Sequence, residues 1–100
     1  MTIINTTFAL EENEFESFLK WLNEVYIKAA MTTGLFTSFR IAKVLTDDQP
    51  QVVSIACELR CESLSEGVRW HQDTASLLYR HMAEQWGDNV VHFTTFLKEL

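Results

Sequence analysis

Thr33-Gly34-Leu35-Phe36 and Trp86-Gly87-Asp88-Asn89-Val90-Val91-His92-Phe93 are the two stretches of sequence that decide the fold of this chain. In each, a glycine ends a segment with helical spacing of apolar residues, and a strand that carries aromatic residues follows at once. A strand pattern also precedes each helical segment. The chain is therefore predicted to have two halves that each run strand, helix, strand, in the order βαββαβ.

The first half begins with a strand, because one set of residues alternates with a second set at period two. The first set is more apolar and is expected to face the helices: Ile4, Thr6, Phe8 and Leu10. The second set is Ile3, Asn5, Thr7 and Ala9. Asn13 and Glu16 then have the spacing of a capping box, which predicts a helix from there to Gly34.

The central part of the chain is predicted to be a hairpin. From Leu35 to Leu45 the period is again two, with Phe39 and Ile41 on one side and Phe36, Ser38 and Arg40 on the other. Asp47-Asp48-Gln49-Pro50 is the strongest turn cluster, and it leads into a strand from Val52 to Cys61.

The second half repeats the helix and the strand. Ser63 and Glu66 form a second capping box, which opens a helix that is predicted to run to Trp86. Asp73 is a residue type that begins helices, so a restart of the helix at this point is also open. Asn89 to Leu97 is predicted to be the last strand.

These elements predict an α+β fold of the ferredoxin-like type, in one domain that spans residues 1–100. Right-handed crossovers place four antiparallel strands in one sheet and both helices on one of its faces. The other, helix-free face is predicted to carry the following residues: Ile3, Asn5, Thr7, Phe36, Ser38, Arg40, Ala42, Ser54, Ala56, Glu58, Arg60, Val90, His92, Thr94 and Phe96. This face is more apolar than a monomer usually leaves in water, so a second copy of the chain is expected to cover it as a homodimer.

Composition excludes several partner classes. The chain has a net charge of −6 and only 8 Lys and Arg residues, which opposes binding to nucleic acid or to an anionic membrane. No stretch resembles a secretory signal or a membrane span, so the protein is expected in the cytoplasm. Cys57 and Cys61 lie about 13 Å apart along one strand, too far for a disulfide, and are predicted to be buried thiols. Neither a metal nor another cofactor is expected, because zinc would need more ligands than the histidines supply.

Four segments of the chain resemble an uncharacterised family of short bacterial domains of unknown function. They are Trp21-Leu22-Asn23-Glu24-Val25-Tyr26-Ile27, Thr33-Gly34-Leu35-Phe36 with Arg40 after it, Glu62-Ser63-Leu64 and Trp86-Gly87-Asp88. That family is similar to the dimeric α+β barrels, in which two ferredoxin-like protomers pack sheet against sheet. The resemblance implies this assembly; some branches of the superfamily are cofactor-independent monooxygenases or catabolic enzymes. This chain departs from the pattern at Tyr26, where relatives carry histidine, and at Thr94, where they carry arginine.

Six residues are the candidate ligand-binding residues of the predicted enclosed face: His92, Arg40, Glu58, Asn5, Phe36 and Phe96. Arg40 and Glu58 are expected opposite each other on adjacent strands, either as a structural ion pair or as the holder of a ligand carboxylate. His92 is either an interface histidine or an acid or base that acts near neutral pH.

Three functional hypotheses follow. The leading one is a homodimeric protein of unknown function that binds a small metabolite between the two sheets. The alternative is a cofactor-independent monooxygenase or isomerase that acts in the same space. A regulatory module of the amino-acid-sensing kind is the third, and the lack of a second domain in this sequence counts against it.

Overall fold

The structure is a computed structural model that describes residues 1–45 and 51–100. Four antiparallel strands form one sheet: β1 (Thr2–Glu11), β2 (Phe36–Lys43), β3 (Val52–Cys61) and β4 (Val90–Lys98). Their order across the sheet is β2-β3-β1-β4, so β1 and β3 are central and β2 and β4 are the edges. The predicted ferredoxin-like βαββαβ fold and the pairing of β2 with β3 are confirmed. The turn predicted at 47–50 lies outside the described residues.

Two helices cover one face of the sheet. The first, α1, has three consecutive segments: Phe15–Trp21, Leu22–Ile27 and Lys28–Thr32. The second, α2, likewise consists of Leu64–Trp70, His71–Ala75 and Ser76–Trp86. In both helices the middle segment is π-helical, a wider winding that inserts an extra residue per turn.

The ends of the helices match the sequence signals in part. Ser63 Oγ accepts a hydrogen bond from Glu66 N at 3.3 Å and so caps α2, as predicted. The cap predicted at Asn13 is wrong, because Asn13 lies in a 3₁₀ turn, Glu12–Glu14, ahead of α1. The helix does not restart at Asp73 but continues through its π-helical segment. After α2, Gly87 adopts φ 56°, a conformation that favours glycine.

The core lies between the sheet and the two helices. Ile4, Thr6, Phe8 and Leu10 of β1 are buried there, as their alternation predicts. Phe8 contacts Phe18 of α1, with ring centroids 5.1 Å apart. Both cysteines are buried free thiols.

The backbone of α2 comes very close to the sheet at Gly67. A Cβ atom at this position would lie 3.1 Å from Cys61 Sγ and 3.2 Å from Ile4 Cδ1. Both distances are shorter than ordinary van der Waals contact. Glycine therefore permits the close packing of helix on sheet here.

The orientation of β4 differs from the prediction. Antiparallel pairing with β1 sets Val90 opposite Leu10, His92 opposite Phe8, Thr94 opposite Thr6 and Phe96 opposite Ile4. Paired residues share a face of the sheet, so these four side chains lie on the helix side and not on the helix-free face. The helix-free face instead receives Val91, Phe93, Thr95 and Leu97.

Phe36 is also on the helix side, contrary to the prediction. The register of β2 against β3 shifts between Phe36 and Ser38, so that Phe36 pairs with Cys61. This irregularity reverses the alternation at the start of β2. Phe36 is buried against Trp70, with ring centroids 4.9 Å apart.

Candidate functional site

The six candidate residues divide between the two faces of the sheet. Asn5, Arg40 and Glu58 lie on the helix-free face, hereafter the open face, as predicted. His92 and Phe96 lie under or beside α2, and Phe36 is part of the core. The structure therefore does not bring the six together in one enclosure.

A row of polar side chains crosses the open face. The register places Arg40 opposite Glu58, Glu58 opposite Asn5 and Asn5 opposite Thr95. Arg40 Nη2 lies 2.8 Å from Glu58 Oε1, so the predicted cross-strand ion pair forms. The Arg40 side chain is 73% exposed, and such exposed pairs contribute only about 0 to 1 kcal/mol. Asn5 Oδ1 is buried and has no hydrogen-bond partner within the described residues.

The remainder of the open face along β4 is apolar. Val91, Phe93 and Leu97 are 58%, 63% and 40% exposed, respectively. These three residues lie on the same face of one strand and form an apolar strip that Thr95 interrupts between Phe93 and Leu97.

A second polar group of side chains lies on the helix side, where β1 and β4 meet α1 and α2. We call it the helix-side cluster, and its members are Thr6, Tyr26, His71, Tyr79, His92 and Thr94. Hydrogen bonds link five of these residues in a chain. Tyr26 Oη lies 3.1 Å from Tyr79 Oη, which lies 3.3 Å from Thr6 Oγ1. Thr6 Oγ1 lies 2.8 Å from Thr94 Oγ1, which lies 3.1 Å from His71 Nε2.

Aromatic contacts complete the helix-side cluster. The rings of Tyr79 and His92 are stacked, with centroids 4.1 Å apart and an interplanar angle of 28°. Phe96 meets His71 edge to face at 5.5 Å. Phe96 also lines a groove of about 400 Å³ that extends along the ends of β1 and β4. The cluster therefore extends from the fully buried Tyr26 to the exposed His92, and Phe96 lies against it at His71.

Burial sets the protonation of the cluster. Burial lowers the pKa of His71. Burial also lowers the pKa of His92, and the positive charge of a protonated His71 would lower it further. Both imidazoles are therefore neutral near pH 7. Burial raises the pKa of Tyr26 well above its usual range, so its hydroxyl keeps its proton.

The two π-helical segments supply residues to this cluster. Tyr26 lies in Leu22–Ile27, and His71 begins His71–Ala75. A π-helical insertion rotates the residues that follow it relative to a regular helix, and such insertions are frequent at functional sites. Both helices thus depart from regular winding where they contribute to the same group of polar side chains.

Sequence reasoning missed most of this cluster. Tyr26, His71 and Tyr79 fit the apolar spacing of the helices, a pattern that indicates packing in the core. The available signal was the polar Thr6 within the apolar set of β1. No three His, Cys, Asp or Glu side chains in the described parts of the chain are grouped so that they could hold a metal ion.

Comparisons with known proteins identify the family and the fold. A family model described as "Domain of unknown function (DUF4286)" matches residues 1–100. No curated protein matches the chain. Among the described residues, neither helix combines the length and the apolar character that a membrane span requires.

Three solved structures illustrate the similarity of fold. HapK from Hahella chejuensis is 10% identical with a TM-score of 0.65, and the match covers 100% of this chain and 93% of HapK. A dimeric ferredoxin-like protein from an uncultured marine organism is 19% identical with a TM-score of 0.64, over 100% and 98% of the two chains. A putative antibiotic biosynthesis monooxygenase from Bacillus cereus is 17% identical with a TM-score of 0.52, over 99% and 94%.

Proposed function

This chain belongs to the DUF4286 family of domains of unknown function, and we propose that it is a homodimeric domain that binds a small molecule. The observation that carries the proposal is the division of β4 into two faces. One face bears the exposed strip of Val91, Phe93 and Leu97, and the other bears His92 and Thr94 of the helix-side cluster. The first face supports self-association, and the second supports binding of a ligand.

The dimer forms through the open face. Exposed aromatic and aliphatic side chains on one flat surface are costly in water, and a two-fold axis allows the same surface to cover itself. The polar row of Arg40, Glu58 and Asn5 lies within the same surface. In a dimer, donors of the second copy can satisfy the buried Asn5 oxygen, which otherwise has none within the described residues. The dimeric ferredoxin-like protein of similar fold supports this arrangement.

The ligand binds at the helix-side cluster of each protomer rather than between the sheets. His92 and Phe96, two of the predicted ligand-binding residues, lie at this cluster. Neutral imidazoles beside hydroxyl groups can donate and accept hydrogen bonds, and a groove of about 400 Å³ meets the cluster at Phe96, which contacts His71. Arg40, Glu58 and Asn5 then serve the dimer interface.

A cofactor-independent enzyme, of monooxygenase or isomerase type, is the second candidate. The neutral state of His71 and His92 favours it, because a neutral imidazole can accept a proton from a substrate near pH 7. The fold of the putative monooxygenase from Bacillus cereus is compatible with it.

The location and extent of the protein complete the proposal. Cys57 and Cys61 are free thiols in the core, as expected in a reducing compartment, so we place the protein in the cytoplasm. Residues 1–100 act as one domain, because the sheet draws on strands from both halves of the chain. The net charge of −6 argues against nucleic acid as a partner.

Thermal shift and native mass spectrometry against a metabolite library test the binding function. A ligand present at 100 times its dissociation constant stabilises the folded protein by about 2.7 kcal/mol. We expect His92→Ala to abolish this stabilisation and Arg40→Ala to preserve it. The opposite result places the ligand between the sheets, and no stabilisation by any compound refutes the binding function. Light scattering at several concentrations tests the dimer separately.

A further inference from the structure

We propose that the hydrogen-bond chain of the helix-side cluster runs in one direction and holds His71 as the tautomer with its proton on Nδ1. The site then offers an N–H donor and selects an uncharged ligand that carries a hydrogen-bond acceptor, such as a ketone carbonyl. The tautomer is a property of the free protein, whereas the ligand class rests on the binding function proposed above.

The direction of the chain follows from its buried end. Tyr26 is fully buried, and within the described residues its hydroxyl makes its hydrogen bond with Tyr79. Each hydroxyl carries one proton, and a buried proton without an acceptor is costly. If Tyr26 accepted from Tyr79, no hydrogen bond that the described residues form would take up its own proton. Tyr26 therefore donates to Tyr79.

The same reasoning applies to each further hydrogen bond between Tyr79 and His71. The hydroxyl of Tyr79 contacts those of Tyr26 and Thr6, and since Tyr26 donates to it, Tyr79 donates to Thr6. Thr6, itself buried, in turn donates to Thr94. Thr94 then has one acceptor left in the chain, which is His71 Nε2 at 3.1 Å. An imidazole nitrogen that accepts carries no proton, so the neutral ring of His71 holds its proton on Nδ1.

The opposite direction satisfies fewer groups. If His71 Nε2 donated to Thr94, Thr94 would accept from both Thr6 and His71, and its own proton would have no acceptor within the cluster. Protonation of His71 would force this arrangement, because both ring nitrogens would then be donors. The lowered pKa of His71 is consistent with a site that resists this change.

The ligand class follows from the charges that the cluster lacks. None of the hydrogen bonds within the cluster involves a carboxylate, a lysine or an arginine. Among the side chains that line the adjoining groove, one is acidic, Glu62, and one is basic, Lys98. An ionised group placed against the buried hydroxyls would lose its hydration without gaining a counterion. A neutral acceptor loses less and pairs with the donor on His71.

Histidine-selective ¹⁵N NMR measures the tautomer directly, because protonated and unprotonated ring nitrogens have different shifts. In the wild-type protein we expect the Nδ1–H form of His71 to exceed the Nε2–H form at least about tenfold. Thr94→Val should remove this excess, since valine offers no hydroxyl to Nε2, and Thr94→Ser should restore it. Thr95→Val is the matched control, because Thr95 points to the open face. An Nε2–H form in the wild-type protein, or an unchanged ratio in Thr94→Val, overturns the proposal.

Three probes of similar shape test the ligand class: acetophenone, benzoate and benzylamine, which are neutral, anionic and cationic. We expect acetophenone to bind at least tenfold more tightly than either ion and to shift the His71 Nδ1 resonance. Equal or tighter binding of benzoate or benzylamine overturns the assigned class. Because the tautomer is read without ligand, its failure is distinct from a failure of the metabolite screen, which would refute the binding function alone.

Discussion

Phe93 is the residue whose substitution tests the proposed dimer most sharply. It is 63% exposed at the centre of the apolar strip on β4. A phenylalanine side chain presents roughly 200 Å² to solvent when free, so about 120 Å² is available for burial by a second copy. At about 25 cal/mol per Å², this burial contributes about 3 kcal/mol per protomer and about 6 kcal/mol per two-fold dimer. These values are upper estimates, because association does not recover the whole transfer energy.

Phe93→Glu should therefore convert the dimer to a monomer. If only half of the upper estimate is realised, about 3 kcal/mol, the dissociation constant rises about 100-fold. The introduced carboxylates oppose association further, since they would face the apolar strip of the other copy. The monomer should keep its far-UV circular dichroism and melting temperature when both are compared at low concentration, because Phe93 is not part of the core.

Sedimentation velocity across low to high micromolar concentration is the assay. Leu77→Glu is the matched control, because Leu77 is 58% exposed but lies on α2, away from the open face. Wild type and Leu77→Glu should sediment as dimers and Phe93→Glu as a monomer. The reasoning is refuted by a wild-type monomer at every concentration, or by a Phe93→Glu protein that dimerises as wild type does.

Three further predictions concern titration, thiol reactivity and packing. The pKa of His92 is lowered, first by burial, so the unfolded chain binds more protons at this residue than the folded chain does. The contribution of neutral His92 to stability is therefore fully present above about pH 6.5 and is lost as the pH falls below that value. Urea unfolding at pH 7 and about pH 5.5 should show a smaller loss for His92→Gln than for wild type, and equal losses would contradict this. Burial raises the pKa of Cys57 to about 12, so a thiol reagent should label it only as fast as the protein unfolds; rapid labelling of the folded protein would be inconsistent with this burial. Gly67→Ala should lower the free energy of unfolding by about 1 kcal/mol, because crowding against Cys61 Sγ at 3.1 Å outweighs the gain in helix propensity; an unchanged melting temperature would argue against it.

Local patterns were sufficient for the order of the elements and for the central pairing. The alternation in β1 identified its buried set, and the position of Arg40 opposite Glu58 followed from counting residues outward from the predicted turn. The ion pair of the candidate site was therefore accessible from the sequence. Most of the helix-side cluster could not be predicted from the sequence. Tyrosine and histidine at helical spacing give the same pattern whether they only pack in the core or also form hydrogen bonds through their polar atoms.

By itself, the sequence determined the βαββαβ order and the existence of a sheet face without helices, because period and turn chemistry are local properties. Tertiary structure alone decided which side of β4 faces the core. Both alternating sets of that strand are partly apolar, so only the register against β1, with Val90 opposite Leu10, places His92 beneath α2 and Phe93 on the open face. The shift at Phe36 has the same origin, since an irregularity in pairing belongs to two strands together and leaves no mark in the alternation of either.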